Sequence, residues 1–182
     1  YGIMAMFFNA VNHAMTGLAT GGFSTLDNSI AGYQSPAMEV LHILPMITGA
    51  LSLSFYFKVF YQKRWNQFWQ DIQSKALFSG MVLGGLILVF FLTSSYGIAE
   101  PFREGLFQYV SGLTGTGWQT SDIYLWSSEV IIFLVCGGLI IGGAAGSTTG
   151  GIKLIRALVI AKGVWWQINK HFLSKDVIQS VR

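Results

Sequence analysis

Charge is scarce in this chain. Only 10% of its 182 residues are Asp, Glu, Lys or Arg, against about 25% in a typical globular domain. With 52% hydrophobic residues and a mean hydropathy of +0.53, that scarcity excludes an ordinary soluble domain. Cysteine is nearly absent too. Cys136 stands alone inside an apolar run, so no intrachain disulfide can form. The three histidines, His13, His42 and His171, have no ligand spacing with Cys or carboxylates, which argues against a side-chain metal centre. No Ser/His/Asp grouping points to nucleophilic catalysis. The reading is therefore not an enzyme, with no bound cofactor. The chain opens at Tyr1 without an initiator Met or a basic leader, and it reads as a piece of a longer polypeptide.

What charge there is lies segregated. Ten of the 11 basic residues fall in two blocks, Lys58 to Lys75 and Lys153 to Arg182, and Arg103 is the exception. Six of the eight acids lie elsewhere. The blocks alternate with apolar runs, as the positive-inside rule requires of a multi-pass membrane protein. The lysines thus flank spans, which argues for a lipid bilayer and against nucleic acid as the partner.

Three runs are long enough to cross a bilayer, which takes about 20 apolar residues. They are Ala37 to Phe57, with Pro45 as a possible kink, Ala76 to Ala99, with Gly84-Gly85 as a close-packing point, and Val130 to Ile152. Two further apolar segments, Phe7 to Leu18 and Phe102 to Leu113, have only 12 residues each. Segments of half a bilayer's depth read as re-entrant.

Those two half-length segments are copies. At an offset of 95, TGLATGGFSTLD lies over SGLTGTGWQTSD, with five of twelve positions identical: Gly17/Gly112, Leu18/Leu113, Gly22/Gly117, Thr25/Thr120 and Asp27/Asp122. Thr16/Ser111 and Phe23/Trp118 are close matches. The repeated unit is half-helix, Gly/Thr loop, acid, spanning helix. A Gly/Thr loop at membrane depth exposes backbone carbonyls, which can replace the hydration shell of an alkali cation. Glycine allows the backbone conformations such a loop needs. The half-helix aims its negative C-terminal end at the cation. Asp27 and Asp122, beyond the loops, would gather cations at the outer mouth.

The stretches HAMTGLATGGFSTLD, SPAMEVLHILPMITGALSLSFYF, SGLTGTGWQTSD and GGAAGSTTGGIKLIR occur in that order, and the chain resembles the Trk/Ktr/HKT potassium transporters over nearly its whole length. The resemblance implies an all-α membrane protein with K⁺-channel-like M1-P-M2 repeats, re-entrant half-helices and filter loops, four such repeats surrounding one pore. It divides this chain into a pore helix, filter loop and M2 over 1–57, a cytoplasmic linker over 58–75, a complete repeat over 76–152, and the end of M2 with a basic cytoplasmic segment over 153–182. It assigns Thr20, Gly21, Gly22, Gly115, Thr116 and Gly117 to a selectivity filter that binds K⁺ through carbonyls alone. The family commonly has Thr where this chain has Gly115. The resemblance also makes Gly142, Gly143, Gly146, Ser147, Thr148, Thr149, Gly150 and Gly151 parts of an intramembrane gate loop. Composition agrees, since five glycines in ten residues, each roughly 1 kcal/mol worse than Ala in a helix, disfavour a stiff helix. A nucleotide-binding P-loop fits less well, because Ile152 separates Gly151 from Lys153 and no strand precedes the motif.

The function the resemblance implies is potassium uptake across the bacterial inner membrane, by a homodimer with a cytosolic nucleotide-binding regulatory ring of the TrkA kind. The alternative is a secondary transporter with a midplane site between discontinuous helices. That reading expects an ionisable group deep in the membrane, and His13, His42 and the helix-end glutamates Glu39 and Glu129 are the candidates. His13 and His42 are expected to pack and hydrogen-bond within the bundle, and the glutamates to sit at the interface.

Overall fold

The computed structural model describes residues 2–66, 70–96, 101–126 and 129–172. Trp69, expected at the membrane interface in the linker 58–75, lies outside the described residues, as do Ala99 of the apolar run and Glu100, Lys175, Asp176 and Arg182 of the charge pattern. The described residues form helices and loops, with no strand among them. The helices are α1 (Ile3–Leu18), α2 (Pro36–Ala50), α3 (Leu53–Tyr61), α4 (Ile72–Tyr96), α5 (Pro101–Leu113), α6 (Glu129–Ile141) and α7 (Leu154–Phe172). Short 3-10 turns at Ser29–Tyr33 and Ile123–Leu125 follow the two Gly/Thr loops.

Local chemistry sets the helix starts. Pro36 and Pro101 open α2 and α5, where a missing N–H is no loss. Asp71 caps α4: its carboxylate accepts from the Ser74 N–H and hydroxyl, both at 2.8 Å. The helix therefore begins four residues before the expected Ala76. Among the described residues α4 is the one helix long and apolar enough to cross a bilayer unaided. The half-helices α1 and α5 have 16 and 13 residues, about 24 and 20 Å. Both end where the repeat ends them, at Leu18 and Leu113.

The expected span 37–57 is not one helix. Helix α2 runs through Pro45 and stops at Ala50. Helix α3 then departs at 93°. The break has a local cap and a distant partner. Ser52 Oγ accepts from the Ser54 N–H at 3.2 Å, and Leu53 N–H donates to Gly146 O at 3.0 Å. The glycine-rich loop thus satisfies a donor that a broken helix would orphan. The run 130–152 is likewise helical only to Ile141, and it turns at Gly142 with φ +70°, a left-handed value that glycine adopts without strain.

Helix α4 packs on α5 and α6. A Cβ built on Gly84 would meet the Tyr109 ring at 2.0 Å, and one on Gly85 would meet Leu106 at 2.7 Å, so the Gly84-Gly85 contact is close as expected. Phe107, Trp118, Met46, Leu88 and Ile131 form the fully buried centre.

Candidate functional site

The two Gly/Thr loops repeat one another bond by bond. Ala19 N–H bonds Met15 O at 2.9 Å, and Thr114 N–H bonds Val110 O at 2.9 Å. Gly21 N–H bonds Thr16 O at 2.8 Å, and Thr116 N–H bonds Ser111 O at 3.0 Å. The Thr16 hydroxyl donates to Phe23 O at 3.0 Å, and the Ser111 hydroxyl donates to Trp118 O at 2.7 Å. Backbone angles follow suit. Thr20 and Gly115 have φ +50° and +67°, while Gly22 and Gly117 have φ +70° and +85°. Each half-helix therefore unwinds into the same alternating loop, and its hydroxyl closes the loop over the helix end. At the Thr20/Gly115 position glycine relieves the strain that a threonine carries in the left-handed region.

The loops also touch. A Cβ on Gly22 would lie 1.9 Å from the Thr116 carbonyl oxygen, so Gly22 brings the first loop directly against the second. Gly117 has no such neighbour within 4 Å. Behind the loops, Trp118 is fully buried and donates its indole N–H to Phe23 O at 3.1 Å. Phe23 is 75% exposed. On the rim, Asp27 and Asp122 line one cleft of about 320 Å³ together with Asn28, Ser29, Gln119 and Thr120. The rim loops are laced by Ala31 N–H to Gln119 O at 3.0 Å and Gln119 N–H to Ser29 Oγ at 3.1 Å.

The glycine-rich segment 142–151 is a loop that folds back against the end of α6. Ile152 N–H bonds Ile140 O at 2.8 Å, and Leu154 N–H bonds Gly143 O at 3.0 Å. Across the bundle, Ala144 N–H bonds Ala50 O at 3.0 Å and Thr148 N–H bonds Gly49 O at 3.2 Å. Gln73 adds a bond to Ala145 N–H at 2.8 Å. The segment reaches both Gly/Thr loops. Thr148 Oγ1 lies 2.9 Å from Leu18 O and 3.3 Å from Thr20 Oγ1, and a Cβ on Gly115 would stand 3.6 Å from Gly150 N. Thr20 and Thr116 are buried, and their hydroxyls bond within the protein, Thr116 to Thr114 at 2.9 Å.

His13 and His42 are packed as expected, with rings 5.1 Å apart. His13 Nδ1–H donates to Asn9 O at 2.8 Å, leaving Nε2 to accept from the Ser24 hydroxyl at 3.0 Å. Glu39 overturns its interfacial expectation. It is 5% exposed and pairs with Arg103 at 3.1 Å. Burial demands a counter-charge, and this pair accounts for the one basic residue outside the two blocks. Sequence reasoning missed three groups: Trp118 as a cross-brace, Ser52 as a cap and Thr148 as a link. Only the Thr16/Ser111 and Phe23/Trp118 matches in the repeat signalled any of this chemistry.

The model of the TrkH cation transport protein family matches residues 1–182. The chain belongs to that family. The Trk system potassium uptake protein TrkH of Halomonas elongata is 33% identical over 160 residues, 86% of this chain and 33% of that protein. An uncharacterized cation transporter of Methanocaldococcus jannaschii is 34% identical over 174 residues, 94% of this chain and 34% of that protein. The crystal structure of the potassium transporter TrkH from Vibrio parahaemolyticus matches with a TM-score of 0.87 at 27% identity, over 96% of this chain and 38% of that one. The chain thus spans about a third of the length of the TrkH-family proteins it matches. Its all-helical architecture is that of the TrkH fold.

Proposed function

We propose that this chain is a central pore segment of a potassium uptake transporter in a bacterial inner membrane. Thr20, Gly21 and Gly22 with Gly115, Thr116 and Gly117 supply filter carbonyls to K⁺, Asp27 and Asp122 gather cations at the outer mouth, and the loop 142–151 gates the path below. The observation that carries the reading is the pair of equivalent loops meeting at Gly22 and Thr116, in contact with the loop that interrupts the helix path. Two carbonyl-lined loops presented side by side suit a dehydrated alkali cation. The polar loop beneath, fixed by hydrogen bonds and free of helical stiffness, suits an element with two positions. A homodimeric assembly and a cytosolic nucleotide-binding regulator of the TrkA kind complete the proposal, with the basic segment after Lys153 facing the cytosol. The names of the relatives support potassium as the cargo.

The test places this segment in a transporter of the relatives' full length and expresses it in cells lacking other K⁺ uptake. Gly22→Ser and Gly117→Ser should each abolish growth at limiting K⁺ or reduce the K⁺/Na⁺ flux ratio. Unchanged growth and flux ratios for both would remove these loops from the filter.

A further inference from the structure

The loop 142–151 contains no acidic residue, yet it holds a full positive charge. The Lys153 ammonium donates to Ser147 O at 3.3 Å, to Thr149 O, and to Thr149 Oγ1 at 3.1 Å. Three N–H donors meet three oxygens, the full donor capacity of an ammonium. Among the described residues no carboxylate is paired with it. The backbone at Lys153 is left-handed, with φ +77°, a conformation that non-glycine residues seldom adopt. The chain therefore accepts a strained turn at the residue whose ammonium returns to the loop.

The proton positions around Thr149 follow from its neighbours. Thr149 Oγ1 accepts from Lys153 and from Gly143 N–H at 3.0 Å. Its own hydroxyl hydrogen must then point to Ser147 Oγ at 2.8 Å, because the Ser147 hydroxyl is committed to Ala144 O at 2.5 Å. Lysine, threonine, serine and a backbone carbonyl form one polarised chain, and the ammonium heads it. Such chains strengthen when a charged donor begins them.

A monovalent cation held by neutral oxygens, two of them backbone carbonyls, has the ligand chemistry of an alkali-ion site. We propose that Lys153 is a positioning residue that latches the loop: its ammonium fills, as a tethered cation, a carbonyl cage in the ion path, and the loop is released when the ammonium leaves. This rests on reading the loop as a gate. The latch closes the path in two ways. It fixes the loop, and it sets a positive charge where a permeating cation would pass.

The test uses a full-length transporter carrying this segment with Cys136→Ala, reconstituted in proteoliposomes, with rubidium flux as the readout. Lys153→Met should raise basal flux at least fivefold. Lys153→Cys should do the same. Alkylation of that variant with 2-bromoethylamine, which rebuilds an ammonium at lysine length, should return flux to the parental level. Alkylation with iodoacetamide should leave it high. That split by charge is one a merely structural side chain would not produce. The Cys variant is compared with itself before and after reagent, so the test stands even if Lys153→Met fails to fold. Parental or lower flux in folded Lys153→Met, or equal effects of the two reagents, overturns the latch. Deleting Gly143 to Gly150 separates the two readings. If the deletion raises flux and Lys153→Met does not, the latch alone fails; if neither does, the gate reading fails with it.

Discussion

Trp118 donates its indole N–H to the carbonyl oxygen of Phe23, its own counterpart 95 positions earlier, at 3.1 Å. The second unit thereby braces the first from behind the paired loops. The same carbonyl also accepts from the Thr16 hydroxyl at 3.0 Å, so it is never left bare. Trp118→Phe should cost only about 1 kcal/mol, one net hydrogen bond, in thermal unfolding in detergent. Its effect on ion choice should be larger, because the brace sets the position of the first loop: the K⁺/Na⁺ flux ratio should fall more than total flux. Trp118→Ala also empties a fully buried site and should cost about 3–5 kcal/mol.

Gly22 and Gly117 are equivalent in sequence but not in surroundings. A methyl on Gly22 would collide with the Thr116 carbonyl, whereas one on Gly117 meets nothing within 4 Å. Gly117→Ala should therefore carry only the left-handed backbone penalty, about 1–2 kcal/mol. Gly22→Ala adds a forced displacement of the neighbouring loop and should be the more damaging of the two in potassium-limited growth. Equal effects would mean that the close approach at Thr116 is not what sets the position of the loops.

Helix α4 offers a contrast in stability. Gly84→Ala drives a methyl into the Tyr109 ring and should lower Tm by several degrees. Gly80 has room, since a Cβ there would sit 3.5 Å from Leu113, an ordinary contact. Gly80→Ala should stabilise by up to about 1 kcal/mol through helix propensity. Thermal unfolding of the two variants side by side checks the assignment of the close-packing point.

Lys63, Asp27, Asp122 and Lys170 test the proposed topology. The first three are exposed, and Lys170 sits at the end of α7 stacked over the Trp166 ring at 5.1 Å. Single cysteines at these positions, in a Cys136→Ala background, should divide by side. An impermeant thiol reagent added to intact cells should label 27 and 122 and spare 63 and 170. Labelling at 63 from outside would reverse the orientation.

The half-helices and their loops were legible because two copies expose a pattern that one copy hides. Leu18 and Leu113 end their helices where the repeat says they should. The break at Leu51-Ser52 was not legible. Pro45 is the visible suspect in that run, yet the helix passes through it. The bend arises from a partner 93 residues away, when Gly146 O takes the Leu53 N–H. The Glu39–Arg103 pair was not legible for the same reason. Hydropathy reads each charge in its own segment, and their pairing is a property of two helices meeting. The sequence places Lys153 at the start of a basic cytoplasmic segment and gives no sign that a left-handed turn sends its side chain back to the loop.

Three backbone bonds tie the loop 142–151 to the first unit: Ala144 to Ala50, Thr148 to Gly49 and Leu53 to Gly146. Each contributes about 1 kcal/mol net, and about 3 kcal/mol corresponds to a ratio of roughly 150 to 1. A gate held by this seam alone would be displaced a little under one per cent of the time. In the proposed transporter, such a pore would leak at rest. Under the proposed gate reading, the size of that leak would be set as much by the helix end at Gly49 and Ala50 as by the glycines of the loop, so substitutions in the first unit would change it without touching any residue of the loop 142–151.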